Sequence, residues 1–386
     1  MQLKTFSLLS LAGYAAAQAS NQSLAATLNA TEQLSNLTTF ITANPALLSA
    51  LSQAQNITIL APSNEAFAKL LNSSAGEAVA ADPELLAAVL QYHVIQGTIY
   101  ASQISNMSAF VPTLLENSTY SNVTGGQVVE AVAIGETVAF YSGLLQNSTV
   151  TTANVNFTGG VIHIIDTVLT VPLNVSDSAA AANLTSLRGA LNATDLLSAV
   201  NETPDLTIFA PTNAAFQSIG SALGNLSTED LAGILTYHVV NGTVAYSSDL
   251  ESGMQVPTIQ GGNLTITIEN GTVFVNGAKV ITPNVLVANG VVHIIDNVLN
   301  PNATDARPTP SATVGAPGFT GASSASDVPF TSGQPTPTTT VNTTSEGAGP
   351  AASTAASSTG AAVPMMTGAV GMGALFGAGA AVIAGF

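Results

Sequence analysis

The chain has 386 residues, of which 46% are hydrophobic and only 7% charged, and its 22 acidic and 5 basic side chains give a formal net charge of −17. The five Lys and Arg residues are scattered, whereas a nucleic-acid groove needs them clustered, so nucleic acid is excluded as a partner. The absence of cysteine excludes disulfides, thiolate metal sites and a cysteine nucleophile.

Residues 1–19 have the pattern of a secretory signal peptide. Lys4 provides a positive start, residues 6–14 form a short apolar segment, and the small residues at 15–19 offer a cleavage site. The alternative is an ordinary N-terminal helix. We predict that the chain enters the secretory pathway.

Three blocks of sequence occur twice, in the same order, and the copies lie 130–149 residues apart. Copies of this length are duplicated domains and not short solenoid repeats. We therefore predict two domains, at 20–171 and 178–300. The blocks are 58–67 with 207–216, 92–95 with 237–240, and 160–169 with 290–299.

A helix is predicted before the second block of each copy. Leu86, Leu90 and His93 lie at i, i+4 and i+7, and the spacing returns at 231, 235 and 238. This is the apolar stripe of an amphipathic helix, with the histidine at its end.

Strands and hairpins are predicted in the second half of each copy. Apolar and polar residues alternate over 264–268, and Asn270–Gly271 then supplies the positive φ angles of a type I′ turn into 272–275. A matching hairpin is predicted over 128–141, and short buried strands at 161–165 and 291–295. The predicted fold class is α+β with antiparallel hairpins.

Together the blocks resemble the fasciclin domain family. Its marks are Thr-Ile-(Leu/Phe)-Ala-Pro-(Ser/Thr)-Asn-x-Ala-Phe, a central Tyr-His and a closing Gly-Val-(Ile/Val)-His-Ile-Ile-Asp, and all three occur twice over roughly 20–300. The resemblance implies two tandem fasciclin domains, each a β-sandwich-like wedge with packed helices. It also implies an extracellular adhesion or matrix protein, and the layout of the whole chain resembles fungal members of the family.

The resemblance further implies a binding role for the Tyr-His pairs, Tyr92–His93 and Tyr237–His238, as a contact surface. The alternative is that each histidine is a hydrogen-bonded core residue, since it lies on the leucine stripe.

Other repeated polar residues are expected to be structural. Asn64 and Asn213 could bind a ligand, but their position after Ala-Pro-(Ser/Thr) favours capping of the following helix. Asp166 and Asp296 close the His-Ile-Ile-Asp strands, where we also expect a structural role.

No catalytic constellation occurs in the sequence. The strings Asp166-Thr-Val and Asp296-Asn-Val lack the glycine of an aspartic-protease turn, and no Gly-x-Ser-x-Gly is present. The four histidines lack metal-ligand spacing. We predict that the protein is not an enzyme and that it needs no cofactor or metal.

The chain is rich in Asn-x-Ser/Thr sequons, which carry glycans in secreted proteins. We predict a glycoprotein, with some sites unused. The twenty candidate sites are Asn21, Asn29, Asn36, Asn56, Asn72, Asn106, Asn117, Asn122, Asn147, Asn156, Asn174, Asn183, Asn192, Asn201, Asn225, Asn241, Asn263, Asn270, Asn302 and Asn342.

The composition changes after the second copy. Residues 301–360 are rich in Pro, Ser and Thr and poor in apolar groups, which predicts a disordered, O-glycosylated stalk. Residues 361–386 end in an apolar tail, which predicts a propeptide removed on glycosylphosphatidylinositol (GPI) attachment, with Ser357, Ser358 and Gly360 as candidate sites. A simple transmembrane helix is the rival interpretation.

These features predict a non-enzymatic adhesion glycoprotein anchored at the outer face of the plasma membrane or in the cell wall, with cell-surface or wall components as partners. The alternative is an accessory protein that assists a secreted laccase-like oxidase in coupling aromatic polyketides. A third interpretation is a structural wall mannoprotein without a specific site.

Overall fold

The computed structural model describes residues 22–43, 45–303, 306–308 and 314–336. The predicted signal peptide, the three candidate anchor sites, and the sequons at Asn21 and Asn342 lie outside these residues.

Domain 1 begins with helices that lead into a strand, and its second half is made mostly of strands. Its helices are α1 (Leu24–Ala30), α2 (Ser35–Ala43), α3 (Pro45–Gln53), α4 (Asn64–Leu71), α5 (Ser74–Ala81) and α6 (Pro83–Tyr92). Its strands are β1 (Ile57–Pro62), β2 (Val94–Gln96), β3 (Ala109–Pro112), β4 (Val128–Ile134), β5 (Thr137–Tyr141), β6 (Asn147–Phe157) and β7 (Gly160–Ile165).

Domain 2 repeats this order. Its helices are α7 (Val175–Ala181), α8 (Thr185–Ala193), α9 (Leu197–Glu202), α10 (Asn213–Ser218), α11 (Gly220–Leu223) and α12 (Thr228–Tyr237). Its strands are β8 (Leu206–Pro211), β9 (Val239–Asn241), β10 (Gln255–Pro257), β11 (Asn263–Glu269), β12 (Thr272–Val275), β13 (Ala278–Val287) and β14 (Gly290–Ile295).

Each domain contains a seven-stranded sheet with the same topology. The strand order is β2-β1-β7-β6-β5-β4-β3 in domain 1 and β10-β11-β12-β13-β14-β8-β9 in domain 2, which is the same order in reverse direction. The first and last strands of each domain, β1 with β7 and β8 with β14, pair in parallel. Every other pairing is antiparallel, and register shifts interrupt the pairing of β6 with β7 and of β13 with β14.

The predicted α+β fold and its hairpins are confirmed. Strands β11 and β12 are joined by Asn270 and Gly271, whose φ angles of 51° and 77° are those that a type I′ turn requires. The parallel pairing of β1 with β7 was not predicted. It buries both faces of these strands, which explains why each reads as a nearly continuous apolar run.

Part of the predicted stalk packs on domain 2. We name residues 314–336 the strap. Its Phe319, Ala322 and Phe330 contact the core of domain 2, and the Phe330 ring meets Phe216 edge-on at 6.2 Å between centroids. The prediction that the chain beyond residue 300 has too few apolar groups to pack is therefore wrong for the strap, because a few aromatic and small residues suffice when a domain surface is already present.

Polar contacts and one glycine fix the strap in place. The Ser186 hydroxyl donates to the carbonyl of Pro329 (2.7 Å), and the Arg188 guanidinium donates to Gln334 (2.7 Å). Gly189 allows the close approach, since a Cβ there would collide with the backbone of Phe330.

Within the described residues, no helix has both the length and the apolar character that a membrane span needs.

Candidate functional site

The Tyr-His pair of domain 1 joins helix α6 to two parts of the sheet region. The Tyr92 hydroxyl donates to the carbonyl of Val128 at the start of β4 (2.9 Å). His93 caps the helix. Its Nδ1 lies 2.7 Å from the carbonyl oxygen of Val89, and its Nε2 accepts the amide of Leu169 just after β7 (2.9 Å). The pair therefore links helix α6 to the start of β4 and to the segment after β7.

Domain 2 repeats the arrangement. The Tyr237 hydroxyl donates to the carbonyl of Asn263 (3.0 Å) and accepts from the Asn276 amide (3.0 Å). His238 lies 2.8 Å from the Ile234 carbonyl through Nδ1 and accepts the Leu299 amide through Nε2 (2.9 Å).

The structure thus places all four candidate binding residues in the core. Tyr92, His93, Tyr237 and His238 have exposed fractions of 0%, 4%, 0% and 1%. No partner can contact these side chains unless the domain opens locally, so the contact surface must be sought elsewhere. The geometry agrees with the alternative, a hydrogen-bonded core histidine.

Burial keeps these histidines neutral. Loss of hydration lowers the pKa of His93, His238 and His293 to about 4, although a backbone carbonyl near each ring opposes the shift. Burial also lowers the pKa of His163, which contacts the Ile99 carbonyl. Each ring has a nitrogen that accepts from a backbone amide, and that nitrogen must stay unprotonated.

The expected helix caps need correction. The N-cap side chains are Ser63 and Thr212, which accept from the amides of residues 66 and 215. Asn64 instead accepts the amide of Asn36 (3.0 Å) and donates to the Glu32 carbonyl (2.9 Å), so it joins α4 to the start of α2.

Asn213 makes the same link in domain 2, between α10 and α8. Asp166 and Asp296 accept the backbone amides of Thr149 and Lys279, both at 2.8 Å, and fix the ends of their strands. Among the described residues no group of His, Asp and Glu is arranged to hold a metal ion.

The two domains meet along an extensive contact, which we name the seam. The rings of Phe110 and Tyr246 stack with centroids 4.1 Å apart and planes 8° apart. Both carboxylate oxygens of Asp205 accept from Thr124, one from the amide (2.7 Å) and one from the hydroxyl (2.6 Å). The Gln127 amide donates to the carbonyl of Val287 (3.0 Å).

Apolar side chains complete the seam. Val128 clusters with Tyr246, Leu286 and Val291, while Leu144 and Leu145 of domain 1 belong to the apolar core of domain 2. Aromatic stacking, a buried hydrogen bond from Gln127 and shared core residues together resemble a domain interior more than a transient contact.

The two copies differ in the length of one loop, and the longer loop, in domain 1, forms part of the seam. Residues 113–127 connect β3 to β4, whereas residues 258–262 suffice for the equivalent connection of β10 to β11. The longer loop carries Asn122, Thr124 and Gln127, which all bond to domain 2. The uneven offsets of the repeat were visible in the sequence, but they do not say what the extra residues touch.

A cleft of about 470 Å³ opens at the seam. Its volume is in the usual range for small-molecule sites, roughly 300–1,000 Å³. Asp205 and Tyr246 give it a carboxylate and a phenol group, and none of the described residues that line it is basic. It is lined by Pro112, Val123, Thr124, Gly125, Gly126, Val128, Asp205, Gly242, Val244 and Tyr246.

The cleft has unused hydrogen-bond acceptor capacity at Asp205 and open space beside Gly125. A carboxylate accepts about four hydrogen bonds, and the Asp205 carboxylate receives one from Thr124 at each oxygen. Gly125 has a φ of +87° and open space where a side chain would be, so its backbone is uncovered. Two domains therefore supply one shared concave surface.

One carboxylate in domain 1, that of Glu130, is buried close to the seam residue Phe110. Glu130, on β4 beside Phe110, accepts from the Ser108 hydroxyl and is 3% exposed. Burial raises the pKa of Glu130 to about 7, although the Ser108 hydroxyl opposes the shift. Sequence reasoning missed this residue, because nothing in the sequence of β4 shows that its one glutamate is buried.

The described sequons fall into two groups. Those at positions 29, 36, 56, 72, 106, 117, 183, 192, 225, 241, 263, 270 and 302 are exposed. Those at positions 122, 147, 156, 174 and 201 are partly buried. Asn122 and Asn201 in the second group use their side-chain amides as donors in the fold.

A sequence profile of the Fasciclin domain matches residues 32–172 and 182–301. The chain belongs to the fasciclin domain family and carries two copies of the domain. Membership of this family supports an extracellular protein of adhesion type.

Three fungal relatives are each called a fasciclin-like arabinogalactan protein. The chain is 37% identical over 311 residues to the one from Arthroderma benhamiae, which covers 80% of this chain and 74% of the relative. It is 28% identical to one from Cercospora beticola (57% of this chain, 61% of the relative) and 30% identical to one from Phaeosphaeria nodorum (55% and 68%). The match thus spans less than two thirds of the Cercospora protein.

Among solved structures, a FAS1 domain pair from the insect cell adhesion molecule fasciclin I aligns with a TM-score of 0.34 at 25% identity, covering 69% of this chain and 97% of that one.

Proposed function

We propose that this protein is a non-catalytic adhesion glycoprotein held at the outer surface of the plasma membrane or in the wall by a GPI anchor. Family membership over both domains supports the adhesion role. The sequence pattern at 357–386 supports the anchor.

We further propose that the seam cleft is its contact region and that its partners are neutral wall glycans. The observation that carries this proposal is the shared concave surface, which combines a carboxylate, a phenol and uncovered glycine backbone with an apolar floor of Pro112 and Val244. Sugar hydroxyls donate to carboxylates, and the C–H faces of pyranose rings pack on apolar surface. None of the described residues that line the cleft is cationic, which disfavours an anionic ligand.

The test is retention of wall glycans and whole cells by the immobilised, glycosylated protein. We expect the wild type to retain soluble wall glycans, and Val123→Arg to lose at least tenfold in retention by filling the cleft. Ser118→Arg is the matched control, since Ser118 is exposed on the same loop outside the cleft, and neither change destroys a sequon.

Equal retention by Val123→Arg and Ser118→Arg would move the contact away from the cleft. If mass spectrometry of proteins captured from the secretome instead shows a laccase-like oxidase, with no glycan or cell retention, the adhesion proposal fails in favour of an accessory role.

For the anchor, phosphatidylinositol-specific phospholipase C should release the protein from intact cells, and resistance to both this enzyme and wall-digesting glucanase would contradict a GPI attachment.

A further inference from the structure

Domain 1 contains an apolar cavity that none of its functional features uses. It lies within the helical layer, between α2 and the α4–α5 pair, and every described residue that lines it is apolar or glycine except His93. Both ring nitrogens of His93 are already engaged by backbone groups. The part of the lining that the structure describes therefore offers no free polar group, and the cavity suits a hydrocarbon better than water.

The cavity is large enough for a small group and open at one end. It measures about 60 Å³. Because one water-sized group needs roughly 10–15 Å³ of such space, it holds about four to six carbon-sized groups. Leu71, which is 52% exposed, and the exposed Ala80 line the open end, so a ligand can enter from solvent.

The same face of domain 2 is closed by the strap. Phe67, Leu70 and Leu71 line the cavity in domain 1, and the repeat places Phe216, Ile219 and Gly220 at the equivalent positions. There the Phe330 ring packs against Phe216, and Ala325 lies directly over Gly220. Domain 2 thus shows that this face takes an aromatic ring when one is supplied.

Domain 2 retains a separate cavity of about 80 Å³ between α9 and α12, with Ile259 at its exposed edge. Its lining includes no residue of α10 or α11, the two helices beneath the strap. It therefore serves as an internal comparison for the cavity in domain 1.

The domain 1 face does not suit a second strap-like peptide. On domain 2 the Gln217 side chain donates to the Ala325 carbonyl (3.3 Å), whereas Ala68 stands at the equivalent position of domain 1. Asn36 and Asn72, both exposed sequon residues, replace Ser186 and Ser221, which bond to the strap. Glycans at these sites would flank the opening and exclude a polypeptide while leaving room for a small molecule.

From these observations we propose that the cavity of domain 1 binds an uncharged apolar small molecule through a single ring or short alkyl group of about six carbons. This inference is independent of the proposed glycan contact at the seam, because the two sites share no residue.

The test is isothermal titration of the full-length glycoprotein with toluene as probe and glycerol as a polar control. We expect toluene to bind with a sub-millimolar dissociation constant and glycerol not to bind. Leu71→Ser, which makes the opening polar, and Ala80→Leu, which fills it, should each weaken toluene binding at least tenfold.

Two matched controls locate the site. Ile259→Ser makes the same change at the cavity of domain 2, and Ala75→Leu adds the same side chain to α5 outside the lining. Both should leave the dissociation constant within twofold, with all four variants melting as the wild type does. Absence of toluene binding would overturn the proposal. Toluene binding that only Ile259→Ser weakens would also overturn it, and so would an Ala75→Leu variant that weakens binding as much as Ala80→Leu does.

Discussion

His93 and His238 each join a helix to the segment after the last strand of the domain, using one ring nitrogen toward the helix and the other toward that segment. A nitrogen that accepts from a backbone amide cannot carry a proton without losing that bond. The Tyr-His motif is therefore a structural link, and a protonated ring would break it.

Acid should destabilise the fold through these groups. Because the pKa of His93, His238 and His293 is about 4 in the folded protein and 6.5 in an unfolded chain, only the unfolded chain takes up protons between these values. The contribution of these three histidines to stability is complete above pH 6.5, and it falls as the pH decreases toward 4. Thermal unfolding followed from pH 7 to pH 4 should show this fall.

The variant His238→Gln separates the contribution of the ring's hydrogen bonds from the contribution of its titration. It should cost about 1–3 kcal/mol at pH 7, since it disturbs buried hydrogen bonds, and it should weaken the pH dependence below 6.5. A variant that melts like the wild type at pH 7, but has lost partner binding, would restore a recognition role for this residue.

Glu130 acts with the opposite sign. Its pKa is about 7 when folded and about 4.5 when unfolded, so its contribution to stability is present below pH 4.5 and is lost as the pH rises to 7. Glu130→Gln should therefore raise the melting temperature at pH 8 by a few degrees. The corresponding gain in the free energy of unfolding has an upper limit of about 3 kcal/mol. At pH 4, below the unfolded pKa, the variant should match the wild type within a degree, and a stabilisation of equal size at pH 4 and pH 8 would contradict the titration argument.

At the scale of elements, local patterns predicted what local physics determines. The stripe before His93, the alternation around Asn270–Gly271 and the buried runs at 161–165 and 291–295 each depend on neighbouring residues, and all appear as helix, hairpin and strand. The caps at Ser63 and Thr212 differ by one position from the expected asparagines, since Ser, Asn and Thr are all suitable at that place.

Non-local partners were not predictable in the same way. The parallel pairing of β1 with β7 joins residues about a hundred positions apart, and a buried strand has no alternation that reveals its neighbours. The strap shows the same difficulty, because Phe319 and Phe330 stand in a composition typical of a linker and pack only where domain 2 offers a surface.

The strap should stabilise domain 2. Phe330→Ala removes the ring that packs on Phe216, and we expect a cost of about 1–3 kcal/mol in the free energy of unfolding. Val314→Ala, at a residue that is 64% exposed in the same segment, should change it by less than about 0.5 kcal/mol. Denaturant titration of the three proteins gives both numbers, and equal stability of Phe330→Ala and the wild type would show that the strap does not support the domain.

At the scale of the whole molecule, the seam constrains which sequons carry glycans. The side-chain nitrogen of Asn122, which a glycan would occupy, donates to the Glu202 carbonyl of domain 2 (2.9 Å). We expect mass-spectrometric site mapping to find Asn122 unmodified and the exposed Asn106 and Asn117 of the same domain modified. High occupancy at Asn122 would mean that the seam forms late or not at all.

The central structural claim is that two duplicated domains act as one body with a shared cleft. Scanning calorimetry of the wild type beside Phe110→Ser, which removes the stacking partner of Tyr246 at the seam, tests it most directly. The wild type should unfold in one transition, and Phe110→Ser should split it into two, with domain 1 and domain 2 melting separately. Two transitions in the wild type, unaltered by Phe110→Ser, would show that the domains are independent and that no fixed cleft exists between them.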